Sequence, residues 1–136
     1  GFLKSGSVLD QTQFALGLMD EPASFYYGVL WNKLYRADII RAHSIRCNTA
    51  LSWSEDFLFN LEYIRYAQRF FALDAAVYYY VKNPASITHP QMDLINVVKT
   101  KATLFTYYKE LYEKLGLYEQ YKPQIFKYLI ATAEHG

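Results

Sequence analysis

The feature that most constrains this chain is a long run of apolar residues at helical spacing near its C-terminal end. From Gln91 to Leu115, the residues Ile95, Val98, Ala102, Phe105, Tyr108, Tyr112 and Leu115 recur at steps of three and four. That period matches a helical turn and not the two-residue alternation of a strand. Gly116 is a natural stop, because glycine adopts the left-handed conformation that commonly ends helices. A last helix is expected from about Pro123, carrying Ile125, Tyr128, Leu129 and Thr132. Proline suits the first helical position, where its missing N–H has no partner to lose. An apolar stripe of this length needs a surface to pack on.

Ser54 opens another clear helix, expected to run to about Gln68. Serine is a good N-cap, and Glu55 and Asp56 fall in the first turn, where the helix dipole favours negative charge. Phe57, Leu61 and Ile64 follow the helical period, and Leu58 widens the stripe. Asp10 can cap a short helix through Met19 with Phe14, Leu18 and Leu9 on its inner face, ended before Pro22. Ala37 to Ser44 reads as one or two helical turns with Ile39 and Ile40 inward. Phe25 to Arg36, rich in Tyr, Val, Leu and Trp, reads as extended, and Ile45 to Asn48 as a short extended piece. Arg69 to Lys82 is the best strand candidate, Asn83-Pro84-Ala85-Ser86 is a turn signal, and His89 caps the helix that Pro90 begins. The expected fold class is α+β and mostly helical, with a few short strands and a C-terminal helical pair.

With 52% hydrophobic residues in 136, the chain has material for a core, which argues against wholesale disorder. Its net charge of +1, with no long run of like charge, lacks the clustered basic surface that nucleic-acid binding requires. Cys47 is the single cysteine, so an internal disulfide is excluded, and no apolar run reaches membrane-spanning length. The fourteen tyrosines suit sugar-binding clefts and half-wet helix faces equally, and decide nothing alone.

Three segments carry chemical information. Trp31-Asn32-Lys33-Leu34-Tyr35-Arg36 is followed by Ser54-Glu55-Asp56-Phe57-Leu58-Phe59. Then comes Val77-Tyr78-Tyr79-Tyr80, with Asn83, Ser86, Thr88 and His89 behind it. Their order and spacing resemble the C-terminal half of bacterial family 2 glycosyltransferases, over somewhat less than half the chain. The resemblance implies a GT-A-like fold, with 1–90 as the acceptor-side part of the glycosyltransferase domain and 91–136 as a C-terminal helical extension. It implies an inverting transferase that moves a sugar from a nucleotide-sugar donor to a glycan or lipid-linked acceptor. Cell-envelope polysaccharide is the implied product, made in the cytoplasm at the inner face of the membrane.

Such a transfer needs a base near the acceptor hydroxyl, because a neutral alcohol attacks poorly. By resemblance that base is Asp56, with Glu55 orienting the acceptor or neighbouring groups. Also by resemblance, the intact enzyme uses a divalent metal, Mg or Mn, on the departing diphosphate, and no cofactor is expected for this chain alone. The family's metal-binding D-x-D and its nucleotide-binding strand–helix units have no counterpart here, so this stretch is expected to be inactive by itself.

Each candidate has a plain structural alternative. Glu55 and Asp56 taken alone are an acidic first turn that stabilises a helix. Trp31, Asn32 and Lys33 either form a strand edge lining the donor–acceptor cleft, or comprise a buried anchoring Trp beside a solvated Lys. Trp53 has a claim to the acceptor site by position. His89 could supply a metal ligand, yet His43, His89 and His135 show no metal spacing, and an ordinary helix-cap or surface histidine is the favoured reading. The helix from Gln91 could pack on the rest of the protein, dimerise or lie on a membrane surface. Two rival functions stand beside the transferase: a non-catalytic helical interaction module, and a stand-alone carbohydrate-binding domain using Trp31, Trp53 and the tyrosines.

Overall fold

The computed structural model describes residues 3–20, 25–47, 55–75 and 94–135. In chain order the elements are β1 (Val8–Asp10), α1 (Gln11–Asp20), α2 (Phe25–Gly28), α3 (Ala37–Ala42), α4 (Glu55–Tyr66), β2 (Arg69–Phe71), α5 (Leu94–Lys114) and α6 (Tyr118–His135). The fold class is α+β and mostly helical, as expected, with one two-stranded antiparallel sheet among the described residues. Ser54, Trp53, His89 and the Tyr78–Tyr80 run lie outside the described residues.

Local chemistry sets several boundaries. The Asp10 carboxylate accepts from the Gln13 backbone N–H at 2.7 Å, and the Gln13 side chain accepts from the Asp10 N–H at 2.9 Å. This reciprocal capping box starts α1. At the end of α5, Gly116 takes φ +71°. Its N–H donates to Glu113 O at 3.0 Å, and Leu117 N–H donates to Tyr112 O at 2.8 Å. Those two bonds are the Schellman closure expected of a helix-terminating glycine.

Four sequence expectations need correction. Phe25 to Arg36 is not one extended segment: it forms α2, then a turn at Trp31 and Asn32, and the extended backbone expected here is seen at Arg36. A short aromatic-rich run suits either state, and here Tyr27 is drawn into the core in helical form. The last helix starts at Tyr118, a turn and a half before Pro123, which lies inside it. The proline removes the helical partner of the Glu119 carbonyl, and Glu119 is exposed, so water can take that place. The buried face of α5 is Thr100, Leu104, Tyr108, Leu111 and Tyr112, while Ile95 and Val98 stand exposed on turns ahead of the core. Finally, the chain from Ile45 to Cys47 forms no strand, although Ile45 is buried.

β1, absent from the sequence reading, pairs with β2 in the register Val8↔Phe71, Leu9↔Phe70 and Asp10↔Arg69. Three residues are too few for alternation to be visible in sequence.

The main core lies where α1, α4, α5 and α6 meet. Phe14, Leu18, Leu58, Leu61, Tyr108 and Ile125 are among its buried side chains. A smaller cluster of Ile45, Tyr63 and Ala67 fastens α3 to α4, with Ile39 and Ile40 packed against it. Polar side chains tie helix to helix across the core. Tyr112 Oη donates to Ala15 O at 2.6 Å, and burial pushes its hydroxyl pKa far up, so it stays protonated as a donor. Gln11 Nε2 donates to the carbonyls of Ile64 and Arg65, both at 2.8 Å, and Gln124 Nε2 to Met19 O at 2.9 Å. These bonds cover carbonyls at helix ends that have no intrahelical partner. Among the described residues, no helix is long and apolar enough to cross a membrane.

Candidate active site

The site forms where the exit of α2 meets the first turn of α4. Gly28 permits the contact: a Cβ there would stand 2.8 Å from Phe57 Cδ2 and 3.1 Å from Phe57 Cε2. Only a residue without a side chain lets the backbone come so near.

One side chain then locks the two elements together. Asn60 projects from α4 and is buried, 3% exposed. Its Nδ2 donates to the carbonyls of Tyr27 at 2.9 Å, Gly28 at 3.0 Å and Val29 at 3.2 Å. Its Oδ1 accepts from the Tyr35 hydroxyl. Further down the helix, Tyr63 Oη accepts from Arg36 N–H at 3.0 Å. The Lys33–Arg36 strip is therefore laid along α4 from its start towards its end.

Lys33 turns back into the α2 exit. Its Nζ donates to Tyr26 O, Val29 O and Asn32 Oδ1, each at 2.7 Å. An ammonium has three donors, and all three are used. Burial lowers the Lys33 pKa to about 8, partly opposed by the negative charge of Asp56. Tyr35 is pushed well above the ordinary tyrosine range, first by burial and then by that same Asp56 charge. Two segments about twenty residues apart in sequence thus converge, and Asp56 acts electrostatically on both Lys33 and Tyr35.

Glu55 and Asp56 are half-buried in the first turn of α4. Trp31 is 41% exposed and sits in the turn before Lys33. Asn32 is exposed, bonded through Nδ2 to Tyr26 O at 3.3 Å. Trp31, Asn32 and Lys33 therefore lie in a turn and not on a strand edge. The Lys33 ammonium is neither solvated nor reaching outward. Among the described residues, no three His, Cys, Asp or Glu side chains gather to hold a metal ion, so the described part of the chain does not by itself fit the metal implied by resemblance.

Sequence reasoning missed Asn60 and Tyr35. A signal for Asn60 was present: an amide inside Phe57-Leu58-Phe59-Asn60-Leu61, on the stripe that α4 buries. A polar residue on a buried helix face must find partners, which marks it for an organising role.

Compared with known proteins, the chain is 28% identical over 95 residues to a Bacillus subtilis (strain 168) protein described as uncharacterized glycosyltransferase EpsJ. The aligned stretch covers 67% of this chain and 28% of that protein, so the chain spans well under a third of its relative's length. No family model matches the chain. No solved structure matches it. The likeness found is to a glycosyltransferase, and the matched stretch is long enough that it must include residues from the region of the site.

Proposed function

We propose that the chain is the acceptor-side part of a family 2, GT-A-type glycosyltransferase, with Asp56 as the general base. The longer protein moves a sugar from a nucleotide donor to a glycan or lipid-linked acceptor. The observation that carries this reading is the convergence of Lys33 and Tyr35 with Asp56 at the half-buried start of α4. The likeness to a described glycosyltransferase supports the reaction class.

In this reaction the acceptor hydroxyl oxygen forms a bond to the anomeric carbon as the bond from that carbon to the diphosphate breaks. Asp56 takes the hydroxyl proton, and the bonding electrons leave with the diphosphate. Glu55, one residue earlier on the same turn, orients the acceptor. A carboxylate on the first turn of a helix is held firmly, as a base of fixed aim requires. Lys33 and Asn60 act through position: they pin the α2 exit against α4 and so set the wall that faces Asp56. The divalent ion and the nucleotide belong, in this proposal, to the rest of the longer protein.

Sugar transfer by a full-length protein carrying this sequence tests the assignment. Replacing Asp56 by Asn removes the base while keeping its shape. Turnover should fall by at least about a hundredfold with donor affinity retained, since a positioned base typically contributes ~10²–10⁴. Unchanged turnover would return Glu55 and Asp56 to the role of helix-stabilising charges.

A further inference from the structure

We propose that a groove at the far end of α4 from Asp56 is a saccharide-binding subsite, and that it holds an oligosaccharide acceptor. That the saccharide is an acceptor rests on the glycosyltransferase reading; that the groove takes a saccharide rests on its own side chains. The groove has a volume of about 550 Å³, within the usual range for small-molecule sites. Arg36 and Asp38 line one side, Tyr66 closes the end of α4, and Gln68, Arg69 and Phe71 come from β2 and its approach.

Its aromatic walls are held in place from behind. Tyr66 stacks on His43 with centroids 3.7 Å apart and planes 6° from parallel, and Phe70 stacks on Phe14 at 4.1 Å and 14°. Phe71 is 54% exposed, so a large part of its ring is open to a ligand. The polar groups are planar and prearranged. Arg36 grips Asp38 through two parallel bonds, Nε to Oδ1 at 3.1 Å and Nη2 to Oδ2 at 2.8 Å. Arg69 is exposed and forms no ion pair among the described residues.

These features select a ligand class. An apolar ligand would strand Gln68, Arg69 and the Arg36–Asp38 pair without water. A simple anion would find only Arg69 unpaired, beside the Asp38 carboxylate that already neutralises Arg36. A sugar ring has an apolar C–H face to lie on Phe71 and hydroxyls to meet a rigid fork of donors and acceptors. Little side-chain entropy is lost when those partners are already paired.

The groove is also placed for the reaction. From Asp56 to Tyr66 is ten residues of helix, about 15 Å at the helical rise. The Lys33–Arg36 strip joins the two ends, with Lys33 near Asp56 and Arg36 in the groove. A single sugar cannot occupy both places, so an oligosaccharide is preferred over a monosaccharide.

An NMR titration of the isotope-labelled 136-residue chain tests this with cellotetraose, chitotetraose and tetragalacturonate at millimolar concentration, with glucose as the short control. At least one tetrasaccharide should shift the amides of Arg36–Ile39 and Tyr66–Phe71, binding at least about tenfold tighter than glucose. Phe71→Ala and Arg69→Ala should each weaken it by about tenfold, as loss of a central contact does, with melting temperature unchanged because both side chains are exposed. No shift at these amides with any tetrasaccharide, shifts that map elsewhere, or full binding by Phe71→Ala would each overturn the proposal. Because the readout is binding, transfer that survives Asp56→Asn would remove the acceptor role and leave the saccharide site standing.

Discussion

Lys33 shows how one residue's neighbours change what its type suggests. A lysine in a Trp-Asn-Lys turn invites a contact with phosphate, yet the backbone of the α2 exit has claimed all three of its donors. Its burial has a pH signature. Below about pH 8 the folded and unfolded chains both carry the proton. Between about 8 and the ordinary lysine value of 10.5, the unfolded chain binds more protons than the folded one. Unfolding free energy from this residue therefore rises with pH across that window and is flat below it. Urea unfolding of wild type and Lys33→Met across the window should show the wild type gaining on the variant as pH rises. A constant difference would mean that Lys33 titrates normally. The acidic first turn of Glu55 and Asp56 was legible at this scale because it depends on adjacent residues. Asn60 and Tyr35 were not, because their partners are backbone carbonyls and side chains that arrive from over twenty residues away.

Among the elements, α4 is the organiser. Its first turn presents Asp56, its middle clamps the α2 exit through Asn60, and its last turn supplies Tyr66 to the groove. Replacing Asn60 by Ala would take from the Gly28 carbonyl and the Tyr35 hydroxyl the amide that each meets in a buried or half-buried setting. Each orphaned group costs roughly 1–3 kcal/mol, so a loss of about 3 kcal/mol is expected, allowing for relaxation. Chemical denaturation measures it. A loss below about 1 kcal/mol would show that water replaces the amide readily and that the clamp holds little. The longer helices were legible in sequence where caps and stops act within a turn: Asp10 with Gln13, and Gly116 with Glu113. The face that α5 buries was misread at its N-terminal end. Ile95 and Val98 obey the period but extend past the neighbours that would cover them.

At the scale of the whole molecule, the C-terminal helices share one core with α1 and α4. Tyr108 and Tyr112 pack with Phe14, Leu58 and Leu61, and the Tyr112 hydroxyl reaches Ala15. Leu104, Tyr108, Leu111, Tyr112 and Ile125 are all about 1% exposed or less. Each fully buried side chain of this size contributes about 1.5–3 kcal/mol, so the five together are comparable to the roughly 5–15 kcal/mol by which domains are usually stable. A chain cut after residue 90 should lose cooperative unfolding and amide dispersion. A sharp melting transition from residues 1–90 would show two independent units instead. By itself the sequence determined the mostly helical class, the Asp10 cap, the Gly116 stop and the spacing of its motifs. All of these depend on composition or on residues within a turn or two of one another. Tertiary structure alone decided that Phe25–Gly28 is helical, that β1 pairs with β2, and that Lys33, Tyr35 and Asn60 are assembled around the start of α4. Those outcomes depend on which surface arrives to bury an apolar side chain or to satisfy a polar one, and that surface comes from distant parts of the chain.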